Sequence, residues 1–506
     1  MPLEPLIIHP GQAVPLDSIP EGDIEAFHVS VVSAVRAGGR LSAFFGSPRE
    51  DGRIRLVAVI AQDEQGRLSV ASTTVTDRFR SLTPDCPQAH WFEREIAEQW
   101  GVRPEGHPWL KPIRFHHAYR SGRDVWGRAA DATILPCVTD FFRVEGEEVH
   151  EVAVGPVHAG IIEPGHFRFQ CHGERVFHLE ISLGYQHRGI EPALAGGPDA
   201  RTVHYMETLA GDTTIGHATA YAQIVEGLSG IAPPPRAEAL RAVALELERL
   251  ANHTGDMGAL ANDVGFLPTA NYCGRIRGDF LNLTAMLCGN RFGRNLVRPG
   301  GVAYDLEAAS ATQLCQRIEA VARDAENAIE LLWDKPSVLA RFEDTGRIAA
   351  ATAKEIGLVG VAARASGLLR DVRFDFPAGH YRFAQIPVST WDTGDVFARA
   401  YVRWLEIQRS VDFVRQQLGE LPPGAVRQDV GRMGARQFVV ALVEGWRGEI
   451  CHVALTDAEG RFSRYKVVDP SFHNWMGLAL ALREQQISDF PLCNKSFNLS
   501  YCGHDL

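Results

Sequence analysis

The chain has 506 residues, 45% of them hydrophobic and 22% charged, with a formal net charge of −11. That length exceeds one ordinary domain, and the composition is that of a folded globular protein. The acidic balance lacks the basic patch of a nucleic-acid binder, and no window approaches the run of about eighteen apolar residues that a membrane span needs.

The first residues, "MPLEPLIIHPGQAVPLD", are acidic and proline-rich. They lack the basic flank and apolar run of a signal peptide, so a cytoplasmic location is expected. Residues from about 25 to 75 read as strands broken by Gly, Asp and Pro. "PQAHWFEREIAEQWG" then reads as an amphipathic helix stopped by Gly101. These form a first α+β domain over residues 1–125. A linker follows over 126–145, and a second domain over 146–506. The second domain opens with strands in "HFRFQCHGERVFHLEISLG" and turns helical from about residue 202 to 335. In "PPPRAEALRAVALELERLANHTGDMGALANDVG", Leu240, Val243, Leu247 and Leu250 recur at three and four, and Pro235 suits a first helical turn. A later helix, "TGDVFARAYVRWLEIQRSVDFVRQQLGELPPG", ends in Gly and paired Pro. "EICHVALTDAEGRFSRYKVVDP" reads as a hairpin turning at Gly460. The fold class expected is α+β: a small N-terminal α+β domain, then a large, mainly helical domain with peripheral strands.

Nine cysteines are scattered, with no C-x-x-C anywhere. Their odd number and low density fit reduced thiols and exclude an ordinary cysteine cage for zinc or an iron–sulfur cluster. No G-x-G-x-x-G follows a strand, so any NADH oxidation would occur in another subunit.

Two parts of the chain resemble two subunits that work together. Glu93, Arg94, Glu95, Gly101, Val102, Gly106, His107, Pro108, Leu110 and Ile113 match the small subunit of the quinone-reducing module of respiratory complex I. Glu98 and Trp100 stand where that family has Asp and Phe. From about residue 145 the chain resembles the module's large subunit and the related large subunit of group 4 [NiFe] hydrogenases. The matching segments include "VGPVHAG", "EPGHFRF", "YQHRGIE", "ERLANHTGD", "RPGGV", "GDVFARA", "RGE" and the Asp469–Pro470 region. The fused arrangement is that of the hydrogenase-4 and formate hydrogenlyase type.

The resemblance implies a metal site that has been emptied. Working hydrogenases hold nickel and iron with four thiolates, because soft anionic sulfur binds low-valent metal and bridges two ions. Here those positions fall on Ala210, Thr213, Ser500 and Gly503, which offer methyl, hydroxyl and hydrogen. No nickel–iron centre and no independent hydrogenase activity are expected. The chain ends close to where hydrogenases are cut during metal insertion, as expected of a protein that escapes that maturation. In complex I the same cavity binds the quinone head group through a histidine and a tyrosine. The histidine candidates here are His158 and His166. The tyrosine position falls on Gly211, with Tyr205 nearby but out of register.

Further roles follow from the resemblance. Glu163 matches the glutamate that relays protons in hydrogenases, or is a turn residue. Arg188 matches an arginine facing the partner's [4Fe-4S] cluster, or is a structural ion pair. Glu191 matches a magnesium-holding carboxylate, or is an ion pair. His217, Asp212 and Thr213 line the emptied loop, and Asp212 would bind a cation or polar substrate, or cap a helix starting at Thr213. His504 and Asp505 would reach the same cavity. Asn252, His253 and Asp256 read as a buried structural network. The expected partners are an iron–sulfur subunit of the hydrogenase small-subunit type, a ferredoxin-like cluster subunit and antiporter-like membrane subunits, with no nucleic acid. The chain would lie peripherally on the inner face of the membrane. Two functions remain open: a redox subunit delivering electrons to quinone or another small acceptor, and a non-catalytic scaffold.

Overall fold

A computed structural model of the chain describes residues 3–160 and 162–506. Near the N-terminus, the strands Arg40–Pro48, Ile54–Gln62 and Arg67–Val75 form an antiparallel meander, with Leu56 opposite Thr73 and Val59 opposite Val70. Leu6–Ile8 and Glu21–Gly22 complete a five-stranded sheet. The central strand is buried from Ile54 to Ala61, on both faces, because the helices Ile24–Arg36 and His90–Trp100 accompany the sheet. Gly46 is needed where it stands: a Cβ there would lie 2.5 Å from the Trp100 ring. The helix His90–Trp100 stops at Gly101, whose φ of 63° is left-handed and suits glycine.

One expected strand is a helix. "HVSVVSAVR" lies within Ile24–Arg36, with Asp23 accepting the Ala26 amide at 2.8 Å as N-cap. Its β-branched residues favour strand weakly; the cap and the burial of Phe27 and Val31 against the sheet outweigh that preference.

The second half is built on five long helices: Thr214–Ser229, Pro235–Asp263, Leu267–Cys288, Ala308–Trp333 and Val396–Gly419. Pro235–Asp263 is buried along almost its whole length, including Glu246, Arg249 and His253. Its apolar stripe therefore faces one core and its polar stripe a second, ionic one. There Glu246 meets Arg249 and Arg373 at 3.1 Å, and Arg364 meets Glu406 and Glu444 at 2.7 Å. His253 Nε2 lies 2.8 Å from Glu406. A three-stranded antiparallel sheet, Val149–Val154, His166–His172 and Arg175–Ser182, flanks the bundle. Among the described residues no helix is long and apolar enough to cross a membrane.

The last sheet joins the two ends of the chain. Gln437–Gly445, Gly448–Thr456 and Phe462–Val468 are antiparallel, and Val14–Pro15 pairs with the first of them, Val14 opposite Phe438. Side chains alternate across a strand. Phe438, Val440 and Leu442 thus pack with the N-terminal sheet, while Val439, Ala441 and Val443 pack with the helices. Between Glu105 and Val149 there is no regular element. That stretch is tied down nonetheless: Glu98 accepts the amides of Ile113, Arg114 and Phe115 at 2.7–3.2 Å, and Arg114 Nε donates to the His504 carbonyl at 2.9 Å.

Candidate functional site

The helix Thr214–Ser229 starts without a cap from its own neighbours. Glu248, reaching across from Pro235–Asp263, accepts the Ile215 and Gly216 amides at 2.7 and 3.2 Å. Asp212 is therefore not the cap. Its carboxylate takes two parallel bonds from Arg447, at 2.6 and 2.8 Å, and its carbonyl is held by Asn252 Nδ2 and Trp446 Nε1 at 2.9 and 3.0 Å. A bidentate guanidinium–carboxylate pair is both strong and directional. Arg447 Nε also donates to the Asn498 carbonyl at 2.5 Å, which ties the early loop to the C-terminal one.

The four aligned ligand positions each have a structural use. Ala210 is fully buried and its carbonyl accepts the Thr213 amide at 2.9 Å. The Thr213 hydroxyl donates to Asp212 at 3.2 Å and accepts from Arg447 at 3.3 Å. Ser500 Oγ accepts the Gly503 amide at 2.9 Å and so caps the last helix, Tyr501–Asp505. Gly503 faces the carboxyl group of Asp469: a Cβ there would lie 2.6–3.0 Å from it. Where a thiolate would project, a carboxylate is packed. A nickel–iron centre does not fit, because the donors are hard or absent and the fourth position has no room. Gly503→Ala is expected to cost about 1–3 kcal/mol by overpacking, read as a shift in the denaturant midpoint. An unchanged midpoint would show that Asp469 moves aside freely.

Asp469 begins a buried chain. Its Oδ2 lies 3.1 Å from His217 Nε2; His217 Nδ1 lies 3.1 Å from His452 Nε2; His452 Nδ1 lies 2.9 Å from Tyr465 Oη. All four side chains are essentially inaccessible. Burial alone would raise Asp469, but the bond from His217 and the nearby Arg447 hold it below the usual carboxylate range. Burial, then the neighbouring His217, pushes His452 well below the ordinary imidazole range. Three hydrogen bonds thus link Tyr465, His452, His217 and Asp469 in one buried run.

Glu248, beside this chain, is pushed up to about 8 by burial, against the pull of the two amides it accepts. Its folded value lies above the 4.5 of a free glutamate. The stability of its protonated form is thus full below about 4.5 and is lost as pH rises through about 8. Glu248→Gln is expected to flatten that dependence by on the order of 1.4 kcal/mol per pH unit within this window. Parallel stability curves for the two proteins from pH 5 to 8 would overturn this.

The other residues singled out from the sequence lie around this centre. Glu163 accepts the amides of Tyr501 and Cys502 at 3.3 Å. Burial, with Glu163 next, pushes the Cys502 thiol up to about 12. Arg188 is exposed and donates to the carbonyls of Thr208, Leu209 and Cys502 at 2.8–3.4 Å, clamping the early loop to the late one. His158 Nε2 lies 2.9 Å from the Gly165 carbonyl. His166 is buried, with Nδ1 3.4 Å from the Gly155 carbonyl and Nε2 accepting from Arg168 at 3.2 Å. Glu191 is buried with Lys466 and Arg464, each at 2.8 Å. These cations outweigh its burial and hold it well below the usual carboxylate range. Its charge is thus balanced by an ammonium and a guanidinium of this chain.

His504 and Asp505 do not turn into the emptied loop. His504 stacks on Phe472 at 5.4 Å, and Asp505 accepts the amides of Gly184 and Gln186 at 2.8 and 2.9 Å. Asp256 binds Arg403 at 2.8 Å and Asn498 at 2.5 Å. Sequence reasoning found His217 but not Arg447, His452, Tyr465 or Glu248. Arg447 and Asp469 stood inside quoted segments, "RGE" and Asp469–Pro470, with nothing local to mark their partners.

A fused α+β and helical chain whose Ala210–Thr213 loop and C-terminal segment converge on four non-ligating positions defines a class: a quinone-module or hydrogenase large subunit with its small-subunit partner joined to its N-terminus. The sequence matches the family described as "Respiratory-chain NADH dehydrogenase, 30 Kd subunit" over residues 23–122, and that of the 49 Kd subunit over residues 263–437. It is 27% identical over 489 residues to formate hydrogenlyase subunit 5 of Escherichia coli, covering 93% of this chain and 85% of that protein. It is 30% identical over 352 residues to a carbon monoxide-induced hydrogenase of Rhodospirillum rubrum, covering 69% and 97%. Subunit 4 of the NADH-quinone oxidoreductase of Thermus thermophilus is 30% identical over 369 residues, 68% and 90% of the two chains. The chain belongs to the family of complex I quinone-module and energy-converting hydrogenase large subunits, in its fused small-plus-large form.

Proposed function

We propose that this chain is a peripheral-arm subunit of a membrane-bound, ion-translocating oxidoreductase complex, and that its former metal site moves protons instead of holding metal. A cluster-bearing partner of the small-subunit type delivers electrons at the face of Arg188, Gly211, Asp212 and Cys502. A ferredoxin-like subunit feeds that partner, and antiporter-like subunits anchor the assembly to the inner face of the membrane. The observation that carries this reading is the Asp469 carboxylate packed against Gly503 at the head of the His217–His452–Tyr465 chain.

The acceptor is a quinone or another small molecule. His158 and His166 fit it poorly, since three of their four ring nitrogens lie against protein partners. The rim fits better: Arg188 is exposed and Gly211 has open space beside it. A quinone would supply a two-electron, two-proton acceptor. The chain's own residues would orient it through Arg188 and pass protons through Asp469 and His217.

One observation favours a second reading, a scaffold that only joins the cluster subunit to the membrane arm. Ala210, Thr213, His217 and Ser500 are all at most 1% exposed, so the loop's interior is packed. Assay of the purified complex separates the two. Inhibitor-sensitive quinone reduction without nickel supports the proton-moving site. An assembled complex inactive with every quinone and soluble acceptor supports the scaffold, and nickel with hydrogen turnover overturns both.

A further inference from the structure

A second cavity, away from the emptied loop, lies at the junction of the two halves of the chain. It has a volume of about 230 Å³ and a mostly apolar lining. His90, Trp91 and Phe92 contribute from the start of the helix His90–Trp100. Phe472, His473 and Met476 contribute from the helix Pro470–Ala481. Aromatic faces dominate: Phe92 and Phe472 lie 4.9 Å apart, and Phe92 and His473 meet edge-on at 5.6 Å.

Three of these residues carry buried polar atoms without a partner: His90 Nδ1, Trp91 Nε1 and His473 Nε2. His473 is only 6% exposed. Buried polar atoms are nearly always satisfied, and three orphans around one cavity need a common explanation. Burial pushes both imidazoles down, His90 well below the ordinary range and His473 to about 4, so neither carries charge near neutral pH. Indole N–H can only donate, while each neutral imidazole nitrogen donates or accepts according to tautomer.

We infer that this cavity binds an uncharged, planar aromatic compound bearing hydrogen-bonding oxygens. The aromatic walls stack on its ring. Trp91 donates to one oxygen, and His473 and His90 meet a hydroxyl or second oxygen. The volume admits one or two rings and is too small for a drug-sized ligand. Carboxylates and ammonium groups are rejected, because nothing in the lining pays the cost of stripping their water.

The test is calorimetric titration of the full chain with methyl 4-hydroxybenzoate. Saturable one-to-one binding is expected. Trp91→Phe keeps the ring but removes the donor and should weaken binding about tenfold. Met476→Trp should fill the cavity and abolish binding. His473→Phe should weaken it comparably and guards against a misfolded filling variant; circular dichroism checks all three. Absence of saturable binding, wild-type affinity in both Trp91→Phe and His473→Phe, or a crystal structure with water alone on the three orphan nitrogens would overturn the inference.

Discussion

Lys466→Met is expected to destabilise the protein by about 3–5 kcal/mol, the penalty for leaving buried carboxylates without their cation. Lys466 Nζ lies 2.6 Å from Glu95 and 2.8 Å from Glu191, and all three side chains are 1–2% exposed. Glu95 belongs to the first part of the chain, Glu191 and Lys466 to the second. Glu95 retains Arg114 and Glu191 retains Arg464, so the loss is that of one cation shared by two acids. Adding Glu95→Gln should recover part of the loss, because it removes one of the stranded charges. A denaturant series on the single and double variants reads the coupling directly. A Lys466→Met loss under about 1 kcal/mol would mean that water or a counter-ion reaches the pair, and that the junction is looser than its burial implies.

That junction also marks the limit of sequence reading. Element types in the second half were legible because their periods are long and clean: Leu240, Val243, Leu247 and Leu250 could only line one helical face. The helix Ile24–Arg36 was not legible, since Val29, Val31, Val32 and Val35 alternate with small residues much as a strand would. Only the sheet beneath Phe27 and Val31, and the Asp23 cap, decide it. The fused organisation was readable from motifs, but the shared sheet was not. Val14 pairs with Phe438, more than four hundred positions away.

The same asymmetry governs the site. His217 stood out because it follows the aligned ligand positions by a fixed spacing. Its partners come from 235 and 252 positions further on, and nothing near His452 or Asp469 announces a carboxylate–imidazole pair. Asp212 shows the opposite failure. A local rule for helix starts pointed to a cap, yet a stronger partner, Arg447, arrives from a distant hairpin and takes both carboxylate oxygens. Glu248 then fills the vacated capping role. Buried charge is redistributed among whatever partners the fold supplies, so local propensity predicts the residue type and misses its role.

His217→Gln is expected to lower quinone-reducing turnover of the assembled complex by on the order of 10²–10⁴-fold, the usual weight of a positioned proton-transfer group. Glutamine can still bridge Asp469 and His452 by hydrogen bonds, so folding and assembly should persist; it cannot pass a proton from one neighbour to the other. Asp469→Asn should behave alike, because an amide cannot accept the proton that His217 gives up. Tyr465→Phe removes the far end of the chain and should slow turnover less if water reaches His452. The readout that separates a relay from mere packing is the pH profile. Loss of a relay leaves turnover limited by proton arrival, so the variant's rate should rise as pH falls, while acceptor KM stays constant. A variant with wild-type turnover, or one whose rate loss is uniform in pH and tracks a lower melting temperature, would reduce the buried His217–His452 pair to a structural hydrogen bond. The proton-moving role proposed for this loop would then pass to the exposed rim around Arg188.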